Sequence, residues 1–235
     1  MPIVVHHLDD SRSQRILWLL EELGVEYTIQ HHKRGADRRA PQSLRDVHPL
    51  GKAPVITDGA RTVAESGAIV EYLIATYGDG RGVPTSPDAR LDDSFWSHFA
   101  EGSLMPTLVL KLLFGTLLPT QSPFFVRPLV KMICGSVIGG FIDPDLKSKI
   151  SFAGAELDKK GGGAAWFAGG DKDGNPTAAD YQMLFPLETG VMGGRSPVTP
   201  PALVEYVKRC QERPAYQRAL EKGGPYAYGP SSSKL

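Results

Sequence analysis

Three short stretches of this chain carry residue types that can hold a small charged ligand. They are His48-Pro49-Leu50-Gly51-Lys52-Ala53-Pro54-Val55-Ile56, Glu65-Ser66-Gly67-Ala68-Ile69-Val70-Glu71-Tyr72-Leu73, and Leu8-Asp9-Asp10-Ser11-Arg12-Ser13-Gln14-Arg15. In the first, Pro54 enters an apolar run, and because proline has no N–H for a ladder it suits a strand start or an edge. A cis Ala53–Pro54 bond would turn the Ala53 N–H and C=O outward, free to pair with a peptide. In the second, a helix opens at Glu65-Ser66, where the dipole and the free N–H groups favour a carboxylate. With the cation of Lys52 beside them, these groups describe a cleft for a small anionic peptide.

The elements that must position them follow from the patterning. Residues 2–8 are β-rich, and residues 11–24 form the clearest helix. There Ser11-x-x-Gln14 reads as a capping box, Ile16, Leu19, Leu20 and Leu23 share one face, and Gly24 supplies the stop. Residues 27–32 read as a second strand, residues 42–47 as a short helix, and Asp58-Gly59 as a turn between two further strands. Strand, helix, strand, helix, strand, strand, helix is the order of a thioredoxin-like α/β layer. Gly78-Asp79-Gly80-Arg81-Gly82-Val83-Pro84 is a linker. Beyond it, residues 88–118, 123–142, 146–160, 178–189 and 201–209 read as helices, and Thr177-x-x-Asp180 as an N-cap. The expected organisation is a thioredoxin-like domain over 1–82, an all-helical domain over 87–226, and a flexible tail over 227–235.

The helix run Ser11-Arg12-Ser13-Gln14-Arg15-Ile16-Leu17-Trp18-Leu19-Leu20-Glu21-Glu22-Leu23-Gly24, with the two segments above, resembles the glutathione-binding half of a cytosolic-type glutathione transferase. Glu101-Gly102-Ser103-Leu104-Met105-Pro106 and the stretch from Arg213-Pro214-Ala215-Tyr216 to Tyr226 resemble a microbial branch of that family, common in fungi and bacteria, with a serine-type active site. The resemblance runs from Ile3 to about Tyr226. It implies glutathione as co-substrate and no metal. Ala53 would pair its backbone with the cysteinyl unit, and Lys52 would meet the glycyl carboxylate. Ser66 and its N–H would hold the γ-glutamyl carboxylate, and Glu65 the ammonium. Arg39 is a second candidate for the glycyl carboxylate. Members of the family form two-fold homodimers, so a homodimer is expected here.

The chemistry such a site must perform is thiol activation. A free thiol has a pKa of about 8.5, so only a few per cent is thiolate at neutral pH, and the thiolate is the nucleophile. A hydroxyl hydrogen bond and a helix N-terminus both favour the anion. Ser11, as the residue capping the first helix, fits both. Asp10 occupies the position that resembles the catalytic serine or cysteine of several classes, but a carboxylate would repel a thiolate. Arg12 and Ser13 are the remaining alternatives. No cysteine lies near this helix start, which argues against chemistry through an enzyme thiol. Cys134 and Cys210 read as packing residues. His6 and His7, and His31 and His32, are adjacent in strands and face opposite ways, so they suggest structural or surface roles and no metal site. The helix carrying Phe95, Trp96, Phe99, Leu104, Met105 and Leu108 would overhang the thiol and offer an apolar second-substrate surface.

Bulk properties narrow the classes. The chain has 235 residues with 26 basic and 26 acidic side chains, a formal net charge of zero. That balance gives no reason to expect nucleic acid. Two cysteines far apart exclude a disulfide framework and suit a reducing compartment. The start lacks signal-peptide character. Ser233-Lys234-Leu235 would act as a peroxisomal address where it stands free; otherwise a cytoplasmic location is expected. A reporter carrying the last ten residues tests this, and diffuse signal would reject it. The apolar run 124–142 is interrupted by Arg127, Pro128 and Lys131, so a largely buried helix is expected and not a transmembrane segment. The sequence therefore points to a detoxifying glutathione transferase acting on apolar electrophiles, with glutathione peroxidase activity on organic hydroperoxides as a further expectation. A glutathione-binding carrier or regulatory module on the same fold is the alternative.

Overall fold

The computed structural model describes residues 2–35 and 40–230. Arg39 and Ser233-Lys234-Leu235 lie outside the described residues. Four strands form one mixed sheet in the order β2-β1-β3-β4. β1 (Ile3–Leu8) runs parallel to β2 (Tyr27–His32), while β3 (Val55–Asp58) is antiparallel to both β1 and β4 (Arg61–Ala64). Between the first two strands lies α1 (Gln14–Leu23), which stops where Gly24 adopts φ 66°. α2 (Gln42–Val47) precedes β3, and α3 (Ser66–Tyr77) closes the layer. This is the expected thioredoxin-like arrangement. α1 is buried almost all round, with Ile16, Leu17, Trp18, Leu19 and Leu20 inaccessible, because it lies between the sheet and the helical half.

The capping box expected at Ser11-x-x-Gln14 does not form. Residues 9–13 make turns, the helix begins only at Gln14, and the residue before it, Ser13, is already αR with no capping bond from its side chain. Ser11 thus stands three residues ahead of the helix, and its hydroxyl accepts the Ser13 N–H at 3.2 Å. Its backbone carbonyl, not its side chain, meets Gln14 N–H.

Helices fill the rest of the chain. α4 (Pro87–His98) opens on Ser86, whose hydroxyl accepts the Ala89 N–H at 3.1 Å, with Pro87 in the first turn. It continues through a π-helical turn (Phe99–Leu104), α5 (Met105–Leu112), a second π turn (Leu113–Leu117) and α6 (Leu118–Gln121). By length and composition alone this 35-residue run is apolar enough to cross a bilayer. In the fold its Asp93 accepts the Ala179 N–H at 2.8 Å, which ties it to the next helices. α7 (Arg127–Val137) leads through a π turn (Ile138–Ile142) into α8 (Asp143–Lys159). α9 (Ala178–Leu187), followed by a π turn (Glu188–Met192), forms the centre, and α10 (Pro201–Glu212) and α11 (Pro214–Gly223) complete the set.

Two expectations change here. The run 124–142 is not a buried helix: Phe124 is 80% exposed and Phe125, Leu129, Met132, Ile133 and Phe141 are also open, with Cys134 and Ile142 turned inward. Helical period explains this, since only one side of α7 meets the bundle. The second change is α11, a helix the patterning did not delimit. Its inward face, Ala215, Tyr216, Ala219 and Leu220, does follow a helical period, but it is short and made largely of small residues, and charged side chains supply further anchoring. Arg218 and Lys222 reach Glu21 at 2.7 and 2.5 Å, and Arg213, just ahead of the helix, pairs with Glu22 at 2.5 Å.

Three contacts hold the two halves around α1. Trp18 packs edge-on against Tyr181 and Tyr216. Arg15, fully buried, donates to Glu101 at 2.5 Å and to Gln182. The linker is tied at its middle to both halves, through Arg81 to the carbonyls of Glu22 and Leu23 and through Gly82 N–H to Asp171 at 2.9 Å.

Candidate functional site

The ends of β1, the turn before α1, the α2–β3 connection and the start of α3 surround one cleft of about 1610 Å³. Ser11, Lys52, Ala53, Glu65 and Ser66 all line it, although they come from separate stretches of chain. The Ala53–Pro54 bond is cis. Before it, Gly51 holds φ 58°, and a Cβ there would stand 2.7 Å from the Arg45 side chain, so glycine is required both by conformation and by space. Lys52 follows on the exposed side, with Pro54 buried behind it.

α3 starts at Ser66, and Glu65 before it adopts φ 75°, a left-handed conformation uncommon for a non-glycine residue. The Glu65 side chain makes no capping bond to this end. Its first-turn N–H groups therefore lack the usual partner, at the positive pole of a twelve-residue helix facing a cleft. That geometry suits a bound carboxylate. Replacing Lys52 by methionine is expected to raise the glutathione KM roughly fivefold with little change in kcat, because an exposed ion pair adds only modest binding energy. Steady-state kinetics at varied glutathione checks it.

The four candidates for the thiol are placed differently around the cleft. Ser13 is fully buried beneath Ser11, so it cannot reach a ligand. Asp10 borders the cleft at φ 49°, but its carboxylate accepts the Ala227 N–H at 2.8 Å and is held toward the C-terminal segment. Arg12 also lines the cleft, with its guanidinium paired to Glu101 at 3.1 Å. Ser11, 6% exposed, lines the cleft as well.

The site has a polar underlayer built from Ser13 and from His7, one of the histidines read from the sequence as structural or surface residues. His7 is buried, and its Nδ1 lies 2.9 Å from Ser13 Oγ, which lies 2.7 Å from Ser11 Oγ. Burial first, and His31 second, bring the His7 pKa down to about 4. On the other face of β1, His6 is buried against His32 and Thr57. The alternation of a strand could show that the two histidines part ways; only the packing shows what each meets.

The apolar wall sorts the expected residues into two groups. Phe95, Phe99 and Met105 line the cleft, joined by Val109, Phe185 and Tyr228. Trp96, Leu104 and Leu108 turn into the core instead. Tyr228 lies in the segment where the tail was expected to begin. It is held by Arg195, whose Nη2 donates to its hydroxyl at 2.6 Å.

Behind that segment sits Glu188, fully buried and accepting hydrogen bonds from Tyr216 at 2.5 Å, Tyr226 at 2.7 Å and Gln211 at 3.0 Å. Burial nevertheless raises its pKa to about 7. A carboxyl whose folded pKa is raised favours folding below its unfolded value and loses that contribution as pH climbs through the folded one. Glu188 should therefore lower stability between about pH 4.5 and 7, by about 3 kcal/mol. His7, with its pKa lowered, acts with opposite sign over nearly the same window. Glu188→Gln should thus gain stability relative to wild type as pH rises from 4.5 to 7, and His7→Asn should lose it. Melting temperatures across that range measure both, and parallel curves for variant and wild type would refute the assignment.

Among the described residues no group of histidine, cysteine, aspartate and glutamate side chains is arranged to hold a metal ion. Comparison with known proteins agrees with the geometry. The family model "Glutathione S-transferase, N-terminal domain" matches residues 3–75. The chain is 31% identical to glutathione S-transferase 1 of Saccharomyces cerevisiae, over 94% of this chain and 96% of that protein. It is 33% identical to glutathione S-transferase 3 of Schizosaccharomyces pombe, over 94% and 87% respectively. Among solved structures, a glutathione S-transferase from Actinobacillus pleuropneumoniae superimposes with a TM-score of 0.74 at 26% identity, covering 94% of this chain and 92% of that one. A glutathione transferase of Phanerochaete chrysosporium, solved with oxidised glutathione, shares the fold at a TM-score of 0.71 and 16% identity over 94% and 95%. A cleft with an uncapped helix N-terminus and a cis proline, on a thioredoxin-like layer joined to a helical half, thus coincides with relatedness over nearly the whole chain, which belongs to the glutathione transferase family.

Proposed function

We propose that this glutathione transferase binds glutathione along Lys52, Ala53, Glu65 and Ser66, activates its thiol through the Ser11 hydroxyl, and adds the thiolate to apolar electrophiles. The observation that carries this reading is that all five residues border one cleft whose opposite wall is Phe95, Phe99, Met105, Phe185 and Tyr228. An anion-binding, hydrogen-bonding half and an aromatic half share one space, as a two-substrate conjugation requires. The same thiolate suits reduction of organic hydroperoxides, and both activities fit a detoxifying role. Ultraviolet titration of the glutathione complex tests the reading. A bound-thiol pKa well below about 8.5 supports activation, and binding without a shift points to a carrier. Turnover of an activated aryl halide and of an organic hydroperoxide then separates the two activities.

A homodimer is part of this proposal. The open apolar side of α7, with Leu129, Met132 and Ile133, is a surface that a second copy would cover. Light scattering on a sized sample decides, and a monomer at micromolar concentration rejects it.

A further inference from the structure

We propose that His7 and Ser13 are positioning residues that aim the Ser11 hydroxyl at the ligand thiol, with the His7 ring held as the tautomer protonated on Nδ1. This rests on the reading that Ser11 meets the thiol, and it names what sets the direction of that hydrogen bond. Ser13 Oγ is fully buried and has four neighbours. His7 Nδ1 stands at 2.9 Å, Ser11 Oγ at 2.7 Å, Leu8 N–H at 3.3 Å and Leu8 carbonyl oxygen at 3.4 Å. At 3.4 Å the Leu8 carbonyl is a much weaker acceptor for the hydroxyl proton than Ser11 Oγ at 2.7 Å.

A serine hydroxyl has one proton to give and two lone pairs to fill. With hydrogen on His7 Nδ1, that N–H and the Leu8 N–H fill both lone pairs of Ser13. The Ser13 proton then goes to Ser11 Oγ. Ser11 also accepts the Ser13 N–H at 3.2 Å, so its lone pairs are filled as well. The one group Ser11 has left is its own proton, and the open direction is the cleft. With His7 Nδ1 bare, the two side-chain bonds reverse while the backbone N–H groups still donate: Ser13 donates to the ring, Ser11 donates to Ser13, and a lone pair of Ser11 faces the ligand. A thiolate is stabilised by the first arrangement and repelled by the second.

The alternative role for such a chain is a base relay that carries the thiol proton to the imidazole. Burial disfavours that role, since it holds the ring neutral with a pKa of about 4. A thiol with a pKa of about 8.5 does not release its proton to so weak an acceptor. The chain is therefore a fixed donor array.

The direct test is nitrogen-15 NMR of histidine-labelled full-length protein with glutathione bound. The His7 signals are identified by their loss in His7→Asn. Hydrogen on Nδ1 and a bare Nε2 is expected; hydrogen on Nε2 alone overturns the proposal. The functional test follows the bound-thiol pKa in two variants. In His7→Asn an amide N–H can stand where Nδ1 stood, so the pKa should stay near wild type. In His7→Leu it should rise by about one unit, a roughly tenfold loss of thiolate below the pKa. Equal shifts in the two variants overturn the proposal. Ser11→Ala keeps the failures apart: no shift there rejects the Ser11 reading itself, whereas a shift there with none in His7→Leu rejects only the positioning role. Should His7→Leu not fold, the tautomer measured in wild type decides alone.

Discussion

Replacing Ser11 by alanine is expected to raise the pKa of bound glutathione by about one to two units and to lower kcat/KM at pH 6.5 by roughly ten- to fiftyfold. The size follows from the bond removed. A hydrogen bond to a charged acceptor contributes about 1.5–3 kcal/mol, and each pKa unit corresponds to about 1.4 kcal/mol. The loss should shrink as pH approaches the free-thiol range, because above it the thiolate forms without help. That pH dependence separates lost activation from a damaged cleft, which would cost activity at every pH. Ser11→Thr retains a hydroxyl and should retain most of the activation. An alanine variant with unchanged turnover and unchanged thiol pKa would mean that the anion is stabilised by something else in the cleft, with the first turn of α1 the next candidate.

The largest effect on stability is expected at Asp180. Its carboxylate is fully buried and closes the capping box of α9. One oxygen accepts the Thr177 N–H at 2.9 Å and the Thr177 hydroxyl at 3.2 Å. The other accepts the Phe167 N–H at 3.1 Å and the Tyr206 hydroxyl at 2.8 Å. Alanine would strand several donors away from water, each at a cost of about 1–3 kcal/mol, for a total of about 4 kcal/mol or more. Against a typical stability of about 5–15 kcal/mol, this is enough to lower the melting temperature by roughly 10 °C or to prevent folding. α9 also carries Gln182 to Arg15 and Phe185 to the cleft, so the loss should reach the site. Thermal melts of Asp180→Ala and Asp180→Asn measure it, with the asparagine variant intermediate because one acceptor oxygen survives. A melt within about 2 °C of wild type for the alanine form would contradict this account of α9.

How far each of these could be foreseen depends on the distance over which its cause acts. The N-cap at Thr177-x-x-Asp180 was legible, and the structure completes it as a capping box, because both partners lie within one helical turn. So was the stop at Gly24, where αL geometry is a property of one residue. That Lys52-Ala53-Pro54 and Glu65-Ser66 meet at one cleft was legible for the same reason: each forms a local motif, and their union required only the order of strands and helix. The Ser11 cap failed at that same local level. Side-chain hydrogen bonds can satisfy a turn as well as a helix end, and here the turn over residues 9–13 takes the hydroxyl.

What remained hidden was set by residues remote in the chain. Arg15 meets Glu101 and Gln182, Asp10 meets the backbone of Ala227, and Glu21 and Glu22 find their cations on or beside α11. None of these pairs has a periodic signature, because a side chain's partner across the core is chosen by packing and not by spacing. The same holds for which aromatic residues face the cleft and for the open side of α7. Sequence by itself determined the kind of layer, the family resemblance and two of the local motifs that border the cleft. Tertiary structure alone decided that His7 and Ser13 lie beneath Ser11, and that Tyr228 closes the apolar wall, since only a folded chain brings β1, the turn and the last segment to one place.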